Sequence, residues 1–263
     1  MPRREGWEGW DAYAPFYDWE NARTLGRRDV AFWQRMAGGV RGPVVELGCG
    51  TGRIAVPLAR AGVALVGIDR STAMLARAAA RAAALSKRTQ GRLRAPLSLV
   101  RGDIRHLPFP SNRFGFVVAA YGILQSLLSE RDLLLTLQSA RRVLRTAGTL
   151  GIDLVPDVPQ WREYKEQVQM RGRARGGVHL TLFESVRQQP RKRLTTFEQR
   201  YVERRGRAVR EHTFTLTFRT LTVPEMTRRL EASGFRVRAV LGDYRGRAWD
   251  ERADVWILLA EKV

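Results

Sequence analysis

Val44-Val45-Glu46-Leu47-Gly48-Cys49-Gly50-Thr51-Gly52-Arg53 decides the fold. A short apolar run breaks into three glycines with one residue between each pair, which reads as a buried strand, a tight turn and a helix start. Glycine at 48, 50 and 52 lets the backbone take φ > 0 and lets a ligand touch main-chain N–H groups. Those donors stand at the mouth of the following helix, where a polar or anionic group is favoured. Glycine-rich turns of this kind also occur without a ligand, so the turn alone does not define a site. Arg53 breaks the dinucleotide spacing and leaves GxGxG. Glu46, two residues before the first glycine, is a second departure: an acid at a strand's carboxyl end suits a ligand carrying positive charge as well as a carboxylate.

Val63-Ala64-Leu65-Val66-Gly67-Ile68-Asp69 is a second apolar run, closing in an acid 17 residues after Gly52. Such an Asp is placed to accept from two ribose hydroxyls. Leu97-Ser98-Leu99-Val100-Arg101-Gly102-Asp103-Ile104 is a third strand finishing in Asp. Three strand ends bearing polar groups would line one crevice.

ELGCGTGR at 46–53, GIDRSTAML at 67–75 and GDIRHLPF at 102–109 together resemble the class I, Rossmann-like S-adenosylmethionine-dependent methyltransferases, in the family's order and spacing. The resemblance covers residues 10 to 155 well and the C-terminal part loosely. It implies an α/β fold with a seven-stranded sheet, S-adenosyl-L-methionine as cofactor and S-adenosyl-L-homocysteine as product. By that resemblance Gly48, Cys49, Gly50 and Gly52, with Glu46, hold the methionine end, Asp69 the ribose, and Asp103 with Ile104 the adenine. Arg70, Met74, Ala120 and Gln125 would complete the cofactor's surroundings.

The 263 residues suffice for one large α/β domain or one domain with an elaboration. No apolar run approaches the ~20 residues of a membrane span, and Met-Pro-Arg-Arg-Glu lacks the apolar stretch of a signal peptide. A soluble cytoplasmic protein without a membrane partner is expected, as a monomer or homodimer. The single cysteine, Cys49, excludes an internal disulfide and a cysteine-based zinc cluster. Lying in the glycine turn, it also argues against methylation through a thiolate attack on a pyrimidine. A formal charge of +20 is the kind of balance that marks nucleic-acid partners. All but four of the 46 basic residues are Arg, a skew that coding bias would produce equally well, and both readings stay open.

Residues 7 to 36 combine aromatics (Trp7, Trp10, Tyr13, Phe16, Tyr17 and Trp19) with a later helical stretch from Arg28 to Met36. They read either as a segment packed on the body of the domain or as a lid. YAPFYD at 13–18 resembles the Tyr-containing opening of small-molecule methyltransferases, which implies Tyr17, and less directly Tyr13, near the sulfonium. Ser71 suits the N-cap of an Ala-rich helix, Thr72 to Lys87, whose Arg77, Arg81 and Arg88 read as a solvated face. Strand four runs from Asn112 to Tyr121; Gly115 stands where the family commonly has Asp. At the exit of this strand, Tyr121 and Gln125 are the polar side chains best placed to meet a substrate. The absence there of an Asn/Asp-Pro-Pro-Tyr/Phe tetrapeptide disfavours, by resemblance, an adenine or glutamine amide acceptor.

Ser129 to Asp132 reads as a helix start, Thr146-Ala147-Gly148 as that helix's end, and Thr149 to Val155 as strand five with Asp153 at its carboxyl end. Trp161 to Met170 reads as a short helix. Alternation in Val178–Arg187, Leu194–Glu203 and Ala208–Arg219 predicts an inserted three-stranded antiparallel sheet with an Arg-dense outer face. An insertion here resembles glycine N-methyltransferase and the amino-sugar N,N-dimethyltransferases, where it roofs the substrate pocket. His179, His212 and, in the loop after Asp103, His106 are expected to have no catalytic role. A capping box at Thr222, a helix to Ala232 and strands at Phe235–Leu241 and Ala253–Glu261 complete the chain, with a GDY turn at 242–244. The expected division is a helical lid at 1–40, a cofactor-binding core at 41–155, a β roof at 156–220, and the last helix and strands of the core at 221–263.

The expected reaction is in-line displacement of a sulfonium methyl by nitrogen or oxygen of a small-molecule acceptor, in which the enzyme supplies alignment and excludes water. Tyr121 and Tyr17 are the candidate catalytic side chains; Asp153 is a third candidate base, needed only if the nucleophile arrives protonated. No metal is required. An RNA acceptor is the alternative that charge favours, and a binding protein that has kept the pocket without chemistry is a third class.

Overall fold

The computed structural model describes residues 9–24, 28–88, 93–154, 163–253 and 255–263. Two helices, α1 (Trp10–Thr24) and α2 (Arg28–Gly38), precede β1 (Val44–Leu47), α3 (Ala55–Arg60), β2 (Leu65–Asp69), α4 (Thr72–Arg88) and β3 (Leu97–Arg101). Next come β4 (Phe114–Ala119), α5 (Glu130–Val143), β5 (Leu144–Leu154) and the inserted strands β6 (Tyr164–Arg173), β7 (His179–Gln189), β8 (Leu194–Arg205) and β9 (Ala208–Arg219). The chain then returns through α6 (Val223–Ala232), β10 (Phe235–Leu241) and β11 (Trp256–Lys262).

Seven strands form one sheet in the order β10-β11-β5-β4-β1-β2-β3. β1 pairs in parallel with both β2 and β4, and β11 runs antiparallel to its neighbours β5 and β10. All four residues of β1 and all six of β4 are buried, as expected of strands covered by helices on both faces. The chain order reverses between β1 and β4, and the carboxyl ends beside such a switch point form a ligand crevice.

Local chemistry sets the element boundaries. Ser71 and Ser129 accept from the amides of Met74 and Asp132 at 3.0 and 3.1 Å, starting α4 and α5, and Thr222 with Glu225 forms a full capping box on α6. The departure at Gly115 has a steric cause: a β-carbon there would lie 2.3 Å from the Arg41 carbonyl.

Three expectations need correction. The inserted sheet has four antiparallel strands, β6-β7-β8-β9; residues from Tyr164 on, expected in a helix, form its edge strand, while Trp161 lies outside the described residues. α5 stops at Val143 and β5 begins at once, Ala147 taking a left-handed φ of 57° where the register with β4 shifts. Arg77 and Arg81 are not merely solvated: both reach Asp18 of α1, at 3.4 and 2.6 Å.

α1 joins the two sheets. Tyr13, Phe16 and Trp19 bury themselves with Leu180, Leu182, Tyr201 and Leu216 of the inserted sheet, and the Trp19 indole donates to the Arg173 carbonyl at 3.3 Å. Asp11 accepts from the Ser71 hydroxyl and Asp18 from the Thr51 hydroxyl at 2.6 Å, tying the same helix to the ends of β2 and the glycine turn.

Candidate active site

A cavity of about 540 Å³ opens at the carboxyl ends of β1, β2, β3 and β4, under α1 and the end of β9. Gly48 and Gly50, with φ of 63° and 53°, form its floor. A β-carbon at 48 would stand 2.6 Å from the Ile123 side chain, whereas one at 50 would meet nothing closer than 4.0 Å and would project into open space. The Gly50 amide donates to Asp69 at 2.8 Å and the Ser71 amide to its other oxygen at 2.9 Å, so each carboxylate oxygen keeps accepting capacity toward the cavity that Asp69 lines. Burial raises the Asp69 carboxyl above the ordinary range, partly offset by those amides.

Glu46 sits behind the turn, 4% exposed, and its Oε2 is buried without a hydrogen-bond partner. Burial pushes this carboxyl up to about 8, although Arg53 and the Ala55 amide pull the other way. A buried acid with an unsatisfied oxygen is stabilised by any cationic group that approaches it.

Tyr17 and Tyr121 line the same cavity, their ring centres 6.5 Å apart and edge to face. The Arg53 guanidinium lies 5.0 Å above the Tyr121 ring and is fixed on its far side by Asp29 at 2.6 Å. Desolvation raises both phenols well above their ordinary value; carboxylates add to it for Tyr17, and the Tyr17 phenol followed by carboxylates for Tyr121, while Arg53 opposes the shift in both. They are therefore neutral phenols, able to hydrogen-bond, at neutral pH. Asp153 does not face the cavity at all: it is fully buried, accepting from the amides of Tyr121 and Gly122 and from the Tyr244 hydroxyl.

On the opposite wall Asp103 caps the short turn Ile104–His106 and is gripped by Arg105, whose Nε and Nη2 lie 2.8 to 3.1 Å from its oxygens. Arg105 also reaches Asp132 at 3.1 Å, and Arg70 approaches Asp103 at 3.5 Å. Burial works against ionisation of Asp103, but the hydrogen bonds and charge of Arg105 hold its carboxyl below the ordinary range.

The crevice thus gathers Tyr17, Gly48, Gly50, Asp69, Arg70, Asp103, Ile104, Ala120 and Tyr121, with Glu46 behind its floor. Five further candidates lie elsewhere. Tyr13 points into the junction between α1 and the inserted sheet, donating to Glu20. Cys49 is buried against Gly67, and burial raises its thiol. Gly52 closes on Val56 and Ala78, Met74 is buried under α1, and Gln125 is buried with its carboxamide folded toward Gly122. Wall residues without an individual sequence signature are Trp10, Asp11, Ser71, Arg105, Ser126, Asp132 and Phe218. The acid–base spacing of Asp103 and Arg105 and the helix start at Ser129 were the available signals for two of them.

Residues 44–148 match the family model of a methyltransferase domain. Over this stretch the chain is similar to a methyltransferase domain. Its curated relatives include the putative methyltransferase YqeM of Bacillus subtilis, 30% identical over 43% of this chain and 42% of that protein. A demethylmenaquinone methyltransferase of Paenarthrobacter aurescens is 30% identical over 61% of this chain and 60% of its own length. The chain therefore spans about two-fifths to three-fifths of these relatives. A solved S-adenosylmethionine-dependent methyltransferase from Clostridium acetobutylicum superposes with a TM-score of 0.78 at 13% identity, covering 95% of this chain and 99% of that one. CalS10, an amino pentose methyltransferase from Micromonospora echinaspora solved with its cofactor, gives 0.68 at 19% identity, covering 94% and 96%. The fold, inserted sheet included, is thus the Rossmann-like fold of these methyltransferases.

Proposed function

We propose that the protein is an S-adenosylmethionine-dependent methyltransferase acting on a nitrogen or oxygen of a small-molecule acceptor. One observation carries this reading: the glycine floor and the Asp69 carboxylate face a single cavity within the stretch that matches a methyltransferase domain, with the unsatisfied Glu46 oxygen buried two residues before that floor. The donor set fits the cofactor. Asp69 would hold the ribose hydroxyls, the main-chain groups of Gly48 and Gly50 the methionine end, and Ile104 with Asp103 the adenine, while Glu46 offers negative charge behind the floor.

When bound, S-adenosylmethionine supplies an already activated methyl group on a sulfonium. The protein's own work is to bind, align and dry the site. Tyr17 and Tyr121, as neutral phenols, orient an acceptor by hydrogen bonding. α1, tied down through Asp11 and Asp18, serves as the lid, and the four-stranded sheet, through Phe218 at its inner end, serves as the roof. The likeness to CalS10, an amino pentose methyltransferase, favours an amine nitrogen, a nucleophile that needs no base once neutral.

An RNA acceptor has one observation in its favour: Arg171, Arg204, Arg205, Arg207 and Arg210 are exposed at the outer end of the inserted sheet. Much of the remaining arginine charge of that sheet is matched, Arg187 by Glu198 and Arg200 by Glu166 and Glu211. Calorimetry with S-adenosylmethionine, followed by detection of S-adenosylhomocysteine across amine, phenol and carboxylate acceptors, tests the first reading. Steep loss of RNA affinity between low and moderate salt, with RNA-dependent turnover, would instead support the second.

A further inference from the structure

We propose that Asp153 and Tyr244 form a positioning pair for Tyr121, holding the exit of β4 from behind in the one backbone conformation that presents the Tyr121 ring to the cavity. Its consequence for turnover rests on the function proposed above; its structural half does not.

Tyr121 and Gly122 are consecutive left-handed residues, with φ of 59° and 65°. Gly122 adopts that region freely; Tyr121 does so against the clash of its β-carbon and needs outside support. In this conformation the two amides converge on one oxygen of Asp153, Gly122 at 3.3 Å, and the Gly122 amide also donates to the Asp153 carbonyl at 3.2 Å. The other carboxylate oxygen accepts from the Tyr244 hydroxyl at 2.8 Å. Tyr244 is anchored in turn: its ring meets Phe32 at 5.9 Å and its carbonyl accepts from Arg35 at 2.8 Å. Through Asp153, the loop between β10 and β11 therefore fixes a residue whose ring packs against Tyr17 and under Arg53. Neither member of the pair lines the cavity, so neither is a catalytic residue.

The charged and titratable groups facing Asp153 are Tyr244 from the β10–β11 loop and Asp29 from α2, itself paired with Arg53 at the start of α3. Burial raises the Asp153 carboxyl to about 6, and the Tyr244 hydroxyl and the two amides hold it from rising further. Protonation removes an accepting site from the pair, so support for Tyr121 is lost as pH falls through that value. Removing the Tyr244 hydroxyl moves the transition to higher pH.

The test begins on the ligand-free protein. Amide nitrogen and proton shifts of Tyr121 and Gly122 should titrate together with a midpoint near 6, and Tyr244→Phe should move that midpoint upward by at least half a unit while the fold persists. In turnover with an accepted amine, Tyr244→Phe should raise the acceptor KM and lower kcat/KM by roughly tenfold, shift the acid limb upward, and leave S-adenosylmethionine affinity within twofold. Asp153→Asn added to Tyr121→Ala should bring no further loss beyond Tyr121→Ala alone. Amides that do not titrate together, a midpoint unmoved by Tyr244→Phe, or losses that multiply in the double variant would each overturn the pair. A wild type that binds no S-adenosylmethionine overturns the proposed function instead, and the amide titration still decides the pair.

Discussion

The main-chain amide of Gly50 donates to the Asp69 carboxylate at 2.8 Å, tying the apex of the glycine turn to the end of the neighbouring strand. Asp69 thus has two duties: it holds the turn and it presents an acceptor to the crevice. Asp69→Ala is expected to lower S-adenosylmethionine affinity at least a hundredfold, since two charge-assisted hydrogen bonds are worth roughly 1.5–3 kcal/mol each. Calorimetry checks this, and unchanged affinity would falsify the ribose assignment. Asp69→Asn, which keeps an oxygen for one amide, should retain more of the thermal stability than of the affinity.

Glu46 predicts a proton balance. With its carboxyl at about 8, it is largely protonated at pH 7 in the free protein. A cationic ligand beside its unpartnered oxygen lowers that value, so binding should release close to one proton at pH 7 and progressively less as pH rises past 8. Binding enthalpies measured in two buffers of different ionisation enthalpy give the count. Release that persists in Glu46→Gln would assign the proton to another group.

Arg105 holds Asp103 and Asp132 at once, and that bridge shapes the wall expected to meet the adenine. Arg105→Ala should free both carboxylates, raise the Asp103 carboxyl toward its ordinary value and weaken cofactor binding about tenfold, with kcat at saturation little changed. Arg105→Lys cannot reproduce the two-nitrogen grip and should recover only part of the loss. Equal affinities in all three proteins would show that this wall does not touch the ligand.

The central sheet was legible because its strands are short, apolar and punctuated: VVEL before three glycines and FGFVVA between a turn and Tyr121 are buried throughout, and LVGID before Ser71 is buried at three of its five residues. β6 was not. It is an edge strand exposed over most of its length, so Tyr164–Arg173 shows neither the alternation of a half-buried strand nor an apolar run. The same contrast holds in the site. Asp69 and Asp103 announce themselves as acids at strand ends, whereas the duty of Asp153 is set by two amides 31 and 32 residues away and by Tyr244, 91 residues away. Alternation along a strand cannot express partners so remote.

Glu130 offers the last test, of how the inserted sheet is fastened to the core. It stands in the first turn of α5 and accepts from Arg219 at the end of β9 and from Arg229 of α6, the latter at 2.7 Å. The hydrogen bond from Arg229, helped by Arg219 and opposed by slight burial, holds its carboxyl down at about 2. A depressed folded-state value means that the stabilisation is complete above the ordinary carboxyl range and is lost as pH falls from there toward 2. With the side chain 45% exposed, solvent screening keeps the contribution below about 1 kcal/mol. Glu130→Gln should therefore lower the melting temperature by a few degrees at pH 7, and the gap should narrow between pH 5 and pH 3 and shrink in high salt. A gap that stays constant across that range would mean that Glu130 acts through packing, and that the grip of α5 on the inserted sheet is not electrostatic.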